Sequence, residues 1–453
     1  MLPASVRFRS QLVFDARPDA EVLSFWYRAR QVGEATSICF ANITRATKGV
    51  GPMVTTTRLH NDIDEMLPGL VADRRYLHEN PELGCEEFVT SAFVIDRLTA
   101  LGVEEIQTGI NVTGVTGLIR GTRAGEGRVV LVRADMDALP ILEENDVEYR
   151  SKVDGKMHAC GHDAHTAILL GLARVLMDRR DQFSGAVKLL FQPSEERGPG
   201  GAKAMITAGV LEHPHVDAVF ALHMAQDLPL GTISIREGAA LASADGFKVT
   251  IQGKGGHGAH PDKTVDPVVV GAHLITALQT IVSRNVDPIE SAVVTVGALH
   301  TGLAGNVIPD TAELVGTVRT LNTDVQTKIV ARLEELVTGL CAAMGATGNL
   351  EYQYGVPPTI NAVEAAKLIR GVAGTIVGED KVVSPPPSMG GEDFSYFLME
   401  RPGAMFMVGS NNPERGLIWG HHHPKFDIDE DSLAVGLEVM AATVETYLND
   451  GFA

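Results

Sequence analysis

Short, largely apolar runs alternate with amphipathic stretches along most of this chain, and that alternation restricts its fold more than any other feature. Residues 129–132, 187–191 and 216–222 are too short for helices and lack polar alternation, so they read as buried strands. Residues 166–177 carry apolar side chains at helical spacing between the first two strands, and 63–77 and 86–101 show the same period earlier in the chain. Strands separated by helices pair through crossovers. The predicted fold class is therefore α/β, with a mostly parallel sheet.

The rhythm changes between 247 and 354. Strand-like 248–253 is followed by a helix at 265–283, strands at 292–299 and 312–320, a helix at 325–344 and a strand at 350–354. This βαββαβ order is ferredoxin-like. It reads as a domain at 244–354 inserted into a catalytic-type domain made of 62–243 and 355–453, with an apolar strand at 404–408 after the return. Residues 1–52 show no clear period and carry no motif. They read as an N-terminal extension with no assigned function, with Met53 a persuasive alternative start.

The formal charge of −19 speaks against nucleic acid and against anionic membranes as partners. No run of 18 apolar residues exists, so no membrane-spanning helix is expected. The first 30 residues mix Arg7, Arg9, Arg17, Arg28 and Arg30 with Asp15, Asp19 and Glu21 and have no continuous apolar core, unlike a signal peptide. Cys39, Cys85, Cys160 and Cys341 have no short paired spacing. A disulfide framework is not expected, and a cytoplasmic location is.

Ligands of open α/β sheets bind beyond the carboxyl ends of the strands. Asp135 and Asp137 follow the first apolar run, Glu195 and Glu196 the second, and His223 ends the third. A parallel sheet brings all three to one rim. His158-Ala-Cys160-Gly-His162-Asp163-Ala-His165 then adds five potential ligands just before the 166–177 helix. Thiolate with imidazole suits Zn²⁺, and carboxylates also accept Mn²⁺. A structural zinc knuckle would need a second close Cys/His pair, which is missing. Adjacent acids are usually a solvated pair, but Glu195 and Glu196 stand at a strand end, where neighbouring side chains point opposite ways. One can hold metal while the other faces a water. Of His421, His422 and His423, one is the sensible ligand count. Ser388 to Phe394, with its paired glycines, is equally an anion site made of backbone donors or a capped loop.

Arg133-Ala-Asp-Met-Asp-Ala-Leu-Pro140, His158-Ala-Cys-Gly-His-Asp163, Gln192-Pro-Ser-Glu-Glu196, Gly256-His-Gly-Ala259, Gly390-Gly-Glu-Asp-Phe394 and His422-His-Pro-Lys-Phe426 together resemble the hippurate hydrolase branch of the metallo-aminoacylase/carboxypeptidase superfamily. The match runs in order from about Ile63 to the C-terminus. The resemblance implies two divalent ions per subunit, Mn or Zn, with Cys160 bridging and His162, Glu196, His223 and His422 completing the set. It makes Glu195 the general base and places Asp137 behind the metals. Distant peptidase relatives have His in place of Asp135 and Asp in place of Cys160, departures that match this branch. It further implies that the inserted domain dimerises, to a homodimer or a dimer of dimers, and that His257 reaches the neighbouring subunit's site to stabilise the oxyanion. Asn306 and Arg319 would recognise the substrate carboxylate, with Gly391 in the same binding set. The implied activity is amide hydrolysis of small N-acyl amino acids, aroyl or acetyl, such as hippurate. A dipeptidase or an N-acetyl-diaminopimelate deacetylase is the runner-up. An inactive metal-binding scaffold would have lost the base or a ligand, and every expected position is filled.

Overall fold

Eight strands form the larger sheet, in the order Glu104–Ile110, Gly114–Arg120, Ala186–Gln192, Val129–Asp135, Ala218–Pro229, Gly403–Asn411, Ile233–Ser234 and Val382–Val383. The four central strands pair in parallel, and antiparallel pairs lie toward the flanks. The computed structural model describes residues 55–125, 127–198 and 200–452, so the 1–52 extension lies outside the described residues.

Both faces of this sheet are covered, which is why its strands read as largely apolar runs. Every residue of Ala186–Gln192 is buried. In Val129–Asp135 the pleat sends Val130 and Val132 into one core and Leu131 into the other. The first core is roofed by the helices Thr55–Glu79, Phe88–Leu101, His162–Asp178, Val363–Val377 and Asp431–Asp450. The second is closed by the short helices Ala202–Thr207 and Ser395–Glu400. Helix His162–Asp178 is central and buried on nearly every side. At Gly171 a side chain would come within 2.5 Å of Leu70 and 3.0 Å of Leu437, so a glycine is what lets the flanking helices close on it.

Two of the boundaries that differ from the sequence reading matter for the site. The helix begins at His162, not at 166, because Asp163 and His165 are polar residues buried through ion partners, which hides the first turn from an apolar count. The third strand runs on to Pro229, so His223 stands inside it and does not end it.

The smaller sheet has the order Ala292–Thr301, Thr311–Thr320, Ala244–Gln252, Thr347–Val356, all antiparallel, with helices Pro267–Thr280 and Thr323–Ala343 on one face. That is the expected βαββαβ order. Its core is separate and includes Phe247, Ile251, Leu274, Leu314 and Leu333. Burial alternates strictly along Ala244–Gln252, the mark of a sheet covered on one side. Pro267–Asn285 has a mean hydropathy of 1.2 and is long and apolar enough by composition to cross a membrane. His273 and Gln279 interrupt its apolar run, so a count of consecutive residues passes over it. Val270, Leu274, Leu278 and Ile281 nonetheless pack this helix into the small lobe's core.

Arg74, fully buried, ties the roof to the site's surroundings. Its guanidinium donates to Asp163 at 2.8 Å and to Asp427 at 2.8 Å, and His78 Nδ1 lies 2.7 Å from the same Asp163 oxygen. Removing one member of such a buried ion group typically costs about 3–5 kcal/mol, because the others are left uncompensated.

Candidate active site

The carboxyl ends of the parallel strands converge as the alternating pattern requires, with Asp135 opposite Gln192 in register. Two residues beyond the first strand end, buried Asp137 gathers three groups from outside its own segment. Its Oδ1 accepts the Glu195 N–H at 2.9 Å, its Oδ2 accepts the Glu196 N–H at 3.0 Å, and its carbonyl lies 2.8 Å from His162 Nδ1. A carbonyl can only accept, so His162 donates from Nδ1, and in the neutral ring Nε2 is left with its lone pair. That Nε2 is buried and has no hydrogen-bond partner. His223 is fixed the same way, with Nδ1 2.7 Å from the Met224 carbonyl and Nε2 3.6 Å from Cys160 Sγ.

Ligand-type atoms of Cys160, His162 and His223 all lie within 4.8 Å of one another, and so do those of Cys160, Glu196 and His422. A third such set joins His162, Glu195 and Glu196. Cys160 is thus common to two sets of three donors. Glu196 Oε1 is buried without a hydrogen bond, although His422 Nε2 stands 3.1 Å away. Bare buried nitrogen and oxygen atoms are costly unless something binds them. Burial pushes the Cys160 thiol well above its ordinary range despite the pull of His162. A cation is what would hold it as a thiolate. The donor set therefore fits two divalent ions of the Zn or Mn type.

The carboxylates divide by environment. Burial opposes ionisation of Glu196, but His422 and His162 outweigh it and hold it below the usual range. Burial, with Glu392 and Asp393 adding to it, pushes Glu195 well up, the direction a proton acceptor near neutrality needs. Asp135 is not free to ligate. Its Oδ2 accepts Arg133 Nη1 at 2.6 Å, and its Oδ1 lies 2.6 Å from His165 Nδ1, whose Nε2 accepts the Met224 N–H at 2.9 Å.

The dense histidine motifs are only partly spent on this cluster. His158 is buried, and burial pushes it down to about 4. Asp163 belongs to the Arg74 group. The three late histidines take three tasks. His422 joins the cluster; His421 is pushed down to about 3 by burial and neighbouring histidines and packs 5.3 Å from the His223 ring; His423 stacks on Trp419 at 4.3 Å.

A cavity of about 510 Å³ opens between the two sheets, lined by Glu195, Glu196, Arg319, Tyr354, Gly391 and Glu392 among others. Arg319 and Gly391 thus share a space with the glutamates. At Gly391 a Cβ would lie 2.8 Å from that of Ala244 and 3.0 Å from Val356, so glycine is needed where the connections between the sheets pass. His257 and Asn306 do not line this cavity. They lie together on the small ladder of Gly256–His257 with Val307–Ile308, where the Gly258 N–H donates to the Asn306 carbonyl at 2.8 Å. The sequence reading passed over Glu392 and Asp393 as charged neighbours of Glu195, and over Glu87. The first two sit in a motif it had singled out, but only the loop's path shows that Arg133 Nη2 reaches them at 3.0 and 2.8 Å.

The model of peptidase family M20/M25/M40 matches residues 131–446. Over 382 residues the chain is 41% identical to thermostable carboxypeptidase 2 of Saccharolobus solfataricus, covering 84% of this chain and 95% of that protein. It is 42% identical to the N-acetyl-L-cysteine deacetylase of Bacillus subtilis, covering 80% and 84%. It is 41% identical to an IAA-amino acid hydrolase of Arabidopsis thaliana, covering 87% and 88%. Among solved structures, YXEP of Bacillus subtilis, a dinuclear metal-binding peptidase of the M20 family, superposes with a TM-score of 0.75 at 34% identity, covering 85% of this chain and 99% of that one.

The two adjacent glutamates should give opposite phenotypes. Glu195→Gln should keep its metal content while kcat falls at least about 100-fold, as loss of a general base does. Glu196→Gln should lose metal. Elemental analysis beside steady-state kinetics separates them, and exchanged phenotypes would reverse the assignment.

Proposed function

The chain belongs to peptidase family M20/M25/M40, and from that premise we propose that it hydrolyses the amide bond of N-acyl amino acids, aroyl or acetyl, such as hippurate, to a carboxylic acid and an amino acid. One observation carries the reading. Cys160 is shared by two donor sets beside Glu195, and the cavity that Glu195 and Glu196 line also presents Arg319, a cation with no ion-pair partner among the described residues. A substrate with a free α-carboxylate next to its amide would place the first on Arg319 and the second at the cluster. The relatives named for IAA-amino acid conjugates and N-acetyl-L-cysteine support that substrate class. The carboxypeptidase relative supports a second reading, a peptidase acting on short peptides.

Two divalent ions bound here would polarise the scissile carbonyl and acidify the attacking water. Cys160, His162, His223, Glu196 and His422 would hold them. Glu195 takes the proton of the water and passes it to the leaving nitrogen, so that the amine departs neutral. Asp137 keeps Glu195, Glu196 and His162 in register. Arg319 and the backbone at Gly391 orient the amino-acid half, with Asn306 of the partner subunit, beside the partner's His257, joining them. We place His257 of the partner subunit over the developing oxyanion, where one such donor is typically worth about 3–4 kcal/mol. A homodimer is supported by the position of His257 and Asn306 outside their own chain's cavity. It is also supported by the exposed Val268, Val269, Ile289, Leu303 and Val307 on the small lobe.

Metal-reconstituted enzyme assayed on N-acetyl, N-benzoyl and indole-acyl amino acids, their α-carboxamides and dipeptides tests the substrate class. The expected result is hydrolysis of acyl amino acids, with kcat/KM lowered at least about 100-fold by the carboxamide, as for a lost buried charge pairing. Faster turnover of dipeptides would favour the second reading. For the shared site, His257→Ala and Glu195→Gln should each be nearly inactive as homodimers. Their tagged heterodimer should regain about half of wild-type activity, because isologous exchange puts both defects in one site. An inactive heterodimer of confirmed mass would place His257 in its own chain's site.

A further inference from the structure

Glu87 has no place in the chemistry described so far, yet its side chain is wholly buried. It lies at the amino end of helix Phe88–Leu101 and caps no backbone group of that helix with its side chain. A buried carboxylate needs partners. Its Oε1 accepts the backbone N–H of Ser194 at 2.9 Å, and its Oε2 accepts the Thr113 hydroxyl at 2.5 Å. Both of its oxygens are thus committed, one of them to the residue directly before Glu195.

Ser194 has φ +57°, in the left-handed region that side-chain-bearing residues avoid. Such a conformation persists only where the surroundings impose it. The imposition is visible. The N–H groups of Ser194, Glu195 and Glu196 donate in turn to Glu87 Oε1, Asp137 Oδ1 and Asp137 Oδ2. On the other side the Ser194 carbonyl accepts the Gly201 N–H at 2.9 Å. The segment leading to Glu87 also presses on the turn, since a Cβ on Gly84 would come within 2.7 Å of Ser194 Oγ. Asp137 holds the two glutamates, and Glu87 holds the bend that delivers them.

We propose that Glu87 is a positioning residue for hydrolysis: by capturing the Ser194 N–H it maintains the left-handed turn that aims Glu195 at the substrate while Glu196 faces the metal cluster. The inference rests on the reading of Glu195 as base and Glu196 as ligand. Without Glu87, Ser194 can relax toward negative φ. Glu196 stays anchored by Asp137 and by metal, so the displacement falls on Glu195 and on kcat. A purely structural Glu87 would lower stability and leave kcat alone.

The test uses full-length, metal-loaded enzyme and whichever panel substrate it turns over fastest, with Glu195→Gln as control. Glu87→Ala should keep wild-type metal content, hold KM within about threefold and lower kcat at least about tenfold, as a small misplacement of a reacting group does. Glu87→Gln should retain kcat within about threefold, because the amide oxygen still accepts the N–H. The double variant Glu87→Ala/Ser194→Gly should recover most of the lost kcat, since glycine adopts positive φ freely. Wild-type kcat in Glu87→Ala overturns the proposal, as does a loss that glycine does not repair. If Glu87→Ala fails to fold, Thr113→Val takes its place. Lowered kcat at constant KM, restored by Ser194→Gly, supports the proposal, and unchanged kcat overturns it. An active Glu195→Gln would refute the base assignment itself; an inactive one beside a fully active Glu87→Ala refutes only the role of Glu87.

Discussion

Asp137 is the residue on which the geometry of the site depends. It lies just past a strand end, buried, and its two carboxylate oxygens and its carbonyl bind the backbone of Glu195, the backbone of Glu196 and the ring of His162. Those contacts decide two things at once. They fix the tautomer of His162, so that its Nε2 faces the Cys160 cluster, and they set the heights of two adjacent glutamates whose side chains then diverge. A positioned ring with its other nitrogen already committed is what makes histidine a ligand and not merely a buried base.

Around that anchor the protein gathers more negative charge than it neutralises. Glu195, Glu392 and Asp393 place carboxylate oxygens within 4.8 Å of one another. Burial, with Glu392 beside it, pushes Asp393 up to about 7 against the pull of Arg133. Arg133 answers from inside, bonding Asp135, Glu392, Asp393 and Gln192 through its fork of donors. A lysine there could not serve four acceptors in one plane. Arg133 does not bond Glu195 or Glu196 on the cavity side, where a divalent pair would favour their ionised forms.

The architecture was readable where the local signal and the tertiary demand agree. Strands buried on both faces, such as Ala186–Gln192, must be largely apolar, with Lys188 admitted because its Nζ donates to the Val210 and His213 carbonyls, and the small sheet, covered on one side, must alternate along Ala244–Gln252. The reading failed at the first turn of helix His162–Asp178 because its polar residues are buried by partners distant in sequence. Arg74 reaches Asp163 from 89 residues away, a pairing no window can see. Within the site, the side chains that gather around Cys160 were legible as candidates from residue chemistry at strand ends. The support was not: Glu87 looks like any acid at a helix start, and its distance of 107 residues from Ser194 is closed only by the fold. His165, one of the five potential ligands of its motif, and Asp135 at the strand end are committed to each other.

The central claim is that Cys160 is the common ligand of two ions. Anomalous scattering from crystals of the manganese- or zinc-loaded enzyme, recorded on both sides of the metal's absorption edge, measures this most directly. The account predicts two peaks per subunit, both within bonding distance of Cys160 Sγ, one beside His162 and His223 and the other beside Glu196 and His422. A single peak, or a second ion bound to Asp135 and His165 with Cys160 bare, would contradict it.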